Sequence, residues 1–165
     1  MEETTTKTTS KKFSLDEKVT VLNIAPWTVM YSTDKNGVSI EANQRIRLRR
    51  DEIVEQVSAR NRLFVGLDDY GSHATLIIED EDTRKYLEFD SQDGKRRQNV
   101  LSKEKVKDWF AIKNQNEFQN TIIENVVTRA EKRYLMTLIK ELKLDSYEKI
   151  RFCEIHCKFT LRTSY

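Results

Sequence analysis

The chain has 165 residues, 38% hydrophobic and 34% charged, with a formal net charge of +2. That length holds one folded unit with a sizeable core and is too short for two ordinary domains, and the periodic clustering of aromatic and β-branched residues excludes a wholly disordered chain. No apolar run approaches the roughly 18 residues needed to span a bilayer, and residues 1–12 have no apolar signal core, so the expectation is a protein that does not enter a membrane. It is expected in the cytoplasm or in an intracellularly assembled particle. Two cysteines, Cys153 and Cys157, fit a reducing compartment and offer no disulfide framework.

The distribution of charge says more than its sum. Residues 1–50 carry nine basic against six acidic residues, residues 51–94 four against twelve, and residues 95–165 sixteen against nine. An acidic middle between basic flanks argues against a uniformly cationic nucleic-acid surface and suits charge-complementary contacts within the fold or between copies.

In chain order, residues 1–12 have nothing to bury and read as a flexible arm; Thr4, Thr5, Thr6, Lys7, Lys11 and Lys12 are its candidate assembly contacts. Residues 13–93 read as a β-rich core. Val19, Val21 and Ile24, then Trp27, Val29 and Tyr31, are separated by the single proline, Pro26, which marks a bend or an edge. Asn36-Gly37 supplies the positive φ of a tight hairpin turn, and Val38, Ile40, Ile46 and Leu48 continue the alternation, giving a β-meander of three or four strands over residues 18–49. Within it Arg45, Arg47 and Arg49 fall on one strand face, with Arg50 following. A guanidinium stripe suits phosphate or an acidic partner; the plainer reading is a solvated strand face paired with nearby carboxylates.

Asp51–Ala59 predicts a short helix with Asp51 as its N-cap. Asn61–Asp80 reads as the central hairpin of the sheet, with Leu63–Leu67 leading into an Asp68–Ser72 turn and His73–Ile78 leading out. Glu79–Asp82 lacks the alternating ligands and central glycine of a calcium loop and reads as a helix start. The polar stretch 90–99 is the internal boundary, and residues 94–165 read as a helical subdomain ending in a strand. Its three helices start at Ser102, near Gln115, and at Thr128, where Thr128 and Glu131 have the spacing of a capping box.

At the C-terminus Cys153, His156 and Cys157 would share a helix face and, with His73, make a tetrahedral zinc set. The same residues read better as a strand, since Cys153, Ile155, Cys157, Phe159 and Leu161 occupy alternate positions. On a strand the cysteines stand roughly 13 Å apart, at about 3.3 Å per residue, and the cluster cannot close. No metal or other cofactor is therefore expected.

The fold expected is α+β: an N-terminal antiparallel meander or small barrel-like sheet, then about three helices and a final strand. No phosphate loop, nucleophile elbow or His-Glu-x-x-His is present, and the chain reads as a non-enzymatic structural or adaptor protein acting with a protein partner or with copies of itself. An auxiliary component of a virus particle has this character. The first alternative is a nucleic-acid-binding protein using the arginine strand; the second is a small enzyme using Asp68 and His73 as an acid/base pair.

Overall fold

The computed structural model describes residues 11–159. Among them the order is β1 (Lys18–Asn23), β2 (Val29–Ser32), β3 (Gly37–Ile40), β4 (Arg45–Arg49), α1 (Arg50–Ser58), α2 (Arg62–Val65), β5 (Leu76–Ile78), α3 (Glu81–Tyr86), α4 (Lys103–Phe110), α5 (Gln115–Asn125), α6 (Arg129–Glu141) and α7 (Tyr147–Cys157). Both sheets are antiparallel, and the protein is α+β.

β1 is the middle strand of a three-stranded sheet ordered β4-β1-β5. Val21 stands opposite Ile46 on one side and Ile78 on the other. The expected meander is corrected here, because β1 pairs with β4 instead of β2. Between them the chain leaves the sheet and forms a separate ribbon of β2 and β3, which turns through residues 33–36, the Thr33 N–H donating to the Asn36 carbonyl; the expected Asn36-Gly37 turn is corrected, since Gly37 opens β3 opposite Ser32 and neither residue has a positive φ. The physical reason lies at Asn23, whose side chain is wholly buried. Its amide donates to the carbonyls of Trp27, Ile40 and Glu41, and its Oδ1 accepts from the Ala25 N–H. A buried amide satisfied at both ends fixes where the ribbon departs and returns.

The central hairpin is also replaced. Asn61 caps α2 by accepting from the Leu63 N–H at 3.1 Å, and this single helical turn sends Phe64 and Val65 into the core. Only Leu76–Ile78 form a strand, and they pair with β1. The apolar run at 63–67 is thus a buried helical turn, which periodicity over so few residues does not separate from a strand.

The helix starts follow local chemistry. Asp80, Ser102 and Asn114 each accept from the backbone N–H three residues on, and Thr128 with Glu131 forms the reciprocal capping box. α1 differs from expectation: it begins at Arg50, and Asp51 lies in its first turn instead of capping it. The final strand is overturned, since residues 147–157 are helical and the described helical part has four helices, α4 to α7. Cys153 and Cys157 are buried, while Ile155 and Phe159, which a strand would have buried beside them, are exposed.

Two apolar clusters result. One joins the sheet to α1–α3 through Val21, Ile24, Ile53, Phe64, Leu76 and Phe89; the other lies among α4–α7 around Val106, Phe118, Leu135, Leu138 and Cys153. Tyr134 of α6 packs against both. The connecting stretch 90–99 carries no helix or strand, but it is pinned: buried Asp90 accepts from Arg84 and from the Gln98 N–H. No helix of the described residues is long and apolar enough to cross a membrane.

Candidate functional site

The arginine strand is largely engaged within the fold. Arg45 donates to Glu79 at 2.9 Å, and Arg49 donates to Asp16 at 2.6 Å and Asp51 at 2.7 Å. Arg47 donates to the Lys18 carbonyl and is the member of the stripe without a carboxylate partner among the described residues. Arg50 is a buried cation, its side chain 4% exposed, donating to Glu17, Asp80, the Thr83 hydroxyl and the Ser14 carbonyl, with its guanidinium 4.3 Å from the Phe13 ring centroid. Of the arm residues, Lys11 pairs with Glu17 at 2.6 Å and Lys12 is exposed; Thr4, Thr5, Thr6 and Lys7 lie outside the described residues.

The Arg50 network makes stability depend on acid. Burial alone raises the Asp80 carboxyl, but hydrogen bonds from Thr83 and Arg50 outweigh it and hold the group below its usual range. A depressed folded-state value contributes stability that is present above the unfolded carboxyl range, about pH 4, and is lost as pH falls through the folded value. Urea melts between pH 7 and 3 are expected to show this loss, and Arg50→Met is expected to make the decline shallower. An unchanged slope in Arg50→Met would remove the network from the account.

The Asp68–His73 turn does not bring those two side chains together as an acid/base pair. Asp68 Oδ1 accepts from the Tyr70 and Ser72 N–H groups. His73, at φ 59°, points Nδ1 to Glu131 of α6 at 3.0 Å; a carboxylate only accepts, so Nδ1 carries the proton. Glu131 is 1% exposed and also accepts from the Val127 and Thr128 N–H groups. The second histidine holds the same α5–α6 turn from the other side, His156 Nε2 donating to the Val126 carbonyl at 2.7 Å.

Cys153, His156 and Cys157 do share one helix, which removes the distance argument made for a strand. Both cysteines nevertheless face the core, and burial pushes both thiols up, Cys157 to about 11. The imidazole of His156 stacks on Phe152, and among the described residues no group of three or more His, Cys, Asp or Glu is arranged to hold a metal.

Four cations without an ion-pair partner among the described residues gather elsewhere. Arg129, Lys132 and Arg133 of α6 and Lys158, the left-handed C-cap of α7, line a small hollow beside Cys157. None forms an ion pair with a described residue. Arg129 lies over the Trp27 ring at 5.2 Å and Arg133 over Phe159 at 4.4 Å, both rings partly exposed. Exposed apolar side chains flank this patch: Val127 and Ile155 adjoin the two ends of the His156–Val126 hydrogen bond, and Ile155 continues an exposed α7 stripe through Arg151 to Tyr147, at 61% and 82% exposure for Ile155 and Tyr147. Sequence reasoning missed the patch because it joins positions about thirty apart. Arg129, Lys132 and Arg133, at i, i+3 and i+4, were the available signal.

The fold and this surface define an α+β protein with a basic, aromatic-backed and partly apolar patch on its helical side. Comparison of the chain with protein-family models, with curated proteins and with solved structures gives no match.

Proposed function

We propose that the chain is a structural or adaptor protein that assembles with copies of itself, the basic patch at Arg129, Lys132, Arg133 and Lys158 docking on the acidic face of the next copy. The observation that carries this reading is the patch itself: four cations with no carboxylate partner among the described residues, with exposed Phe159 under Arg133 and exposed Val127 and Ile155 close by in sequence. Residues 51–94 supply the complementary charge through Asp68, Asp82 and Glu88, which are exposed and form no ion pair with a described residue. A patch of one kind meeting a different patch on the neighbour is a heterologous contact, suited to rings or filaments. Bare aliphatic side chains and an acidic segment on the same chain favour a protein surface over a polyanion such as nucleic acid.

The test is mass by light scattering as salt rises from about 0.05 to about 0.5 M, a range over which screening shortens several-fold. Association at low salt and monomer at high salt are expected. Lys132→Glu with Arg133→Glu should be monomeric throughout, and mixing it with an Asp82→Lys, Glu88→Lys chain should restore association. A monomer at low salt, or an oligomer indifferent to the charge reversals, overturns the reading. Retention of an oligonucleotide by such a monomer would favour nucleic-acid binding instead.

A further inference from the structure

A separate cleft of about 610 Å³ opens at the seam between the sheet and the helical part. Leu22, Ile77 and Val100 give it an apolar lining, and Arg97, Lys105 and Tyr134 a polar one. Other cations on its walls are already matched: Arg45 by Glu79, Arg84 by Asp90 and Lys103 by Glu141.

Lys105 is different. Its ammonium has three donors, and its one hydrogen-bond partner among the described residues is Asn99 Oδ1 at 3.1 Å. The side chain is half-buried, and burial holds the amine below its ordinary range, outweighing the pull of the Glu131 carboxylate toward the charged form. No carboxylate lies within ion-pair distance of it among the described residues. A cation held in this way is costly without a directly bonded counter-charge. The Tyr134 hydroxyl, half-buried at the same seam, has no hydrogen-bond partner among the described residues, and neither does the Arg97 guanidinium. Glu104 is the one lining carboxylate that forms no ion pair with a described residue, against two lining cations, Arg97 and Lys105, that form none.

We infer that this cleft is a binding site for a small organic anion, a phosphate or carboxylate on an apolar body, with Lys105, Arg97 and Tyr134 taking the anionic group and Leu22, Ile77 and Val100 the body. A charge-assisted hydrogen bond to the ligand supplies what Lys105 lacks, and a lining with a few polar groups set among apolar ones is the usual composition of a small-molecule site.

The experiment is a titration of the full chain with phenyl phosphate, benzoate and neutral benzamide, followed by amide NMR shifts. Saturable shifts at residues 77–79 and 97–105 are expected with at least one anion and not with benzamide, and the tighter anion identifies phosphate or carboxylate as the recognised group. Lys105→Gln should weaken that anion about tenfold, the loss of one charge-assisted contact, without lowering the melting point. Lys107→Gln, on an exposed position of α4 outside the lining, should bind as the parent chain does. Failure of both anions to saturate, equal binding of benzamide, or undiminished binding by a folded Lys105→Gln chain overturns the inference.

Discussion

Gly66→Ala is expected to destabilise the protein by about 4 kcal/mol or more, a drop of roughly 10 °C in Tm for a chain of this size. Gly66 sits at φ 68° and ψ −146°, a region essentially confined to glycine. A Cβ there would meet the backbone oxygen of Ser72 well inside contact distance and press on the Ala74 nitrogen. These atoms belong to the tight return after α2, where the Leu67 N–H donates to the Ser72 carbonyl and the Gly71 N–H to the Val65 carbonyl, so relief requires moving backbone on both sides. Gly71→Ala meets the Gln98 side chain and the Phe89 ring instead; side chains yield more easily, and a smaller loss of about 2–3 kcal/mol is expected. Gly37→Ala, with open space at its Cβ, should cost less than about 1 kcal/mol. Thermal and urea melts of the three variants check the order, and a Gly66→Ala chain within about 1 kcal/mol of the parent would refute the strain account.

That loop also marks where sequence pattern stops being informative. The Asp80 start of α3, the Ser102 cap and the Thr128–Glu131 capping box were legible because each is written in nearby residues whose chemistry is local. Asn61 carried an equally local signal, but the apolar run after it matched a strand template, and one capped helical turn was hidden inside it. At α7 the spacing from Cys153 to Cys157 is a multiple of two and also one helical turn, so these two buried positions satisfied both periods; exposed Ile155 supplied the misleading third match. Strand partnership was not legible at all, because it depends on Asn23 reaching carbonyls up to eighteen residues away.

The candidate site was illegible for a related reason. The arginine stripe was found because alternation is local, while the carboxylates and carbonyl that engage it come from Asp16, Lys18 and Glu79. The patch of Arg129, Lys132, Arg133 and Lys158 became visible only once α6 and the end of α7 lay side by side. The chain's two histidines, each reasonably weighed as a chemical group, both serve to hold the α5–α6 turn, and that turn places Arg129, Lys132 and Arg133.

Glu131→Ala follows from this arrangement and is expected to cost about 3–5 kcal/mol. The carboxylate accepts from the Val127 and Thr128 N–H groups and from His73 Nδ1, all at a site 1% exposed. Truncation removes the reciprocal half of the capping box, about 1 kcal/mol, and leaves part-buried donors facing a void that water has little room to fill. Glu131→Gln preserves shape and one acceptor oxygen, so a loss of about 1–2 kcal/mol is expected, with the Thr128 contact retained. His73→Ala should cost less than Glu131→Ala, because it spares the cap, and the double variant should cost less than the sum of the two, the shortfall measuring the His73–Glu131 coupling. Because His73 ties the loop after α2 to the start of α6, hydrogen exchange should rise at residues 66–75 and 126–131 together in either single variant. Exchange that rises in α6 alone would mean the histidine contact does not couple the sheet side to the helix carrying the basic patch, and the effect of Glu131 would then reduce to helix capping.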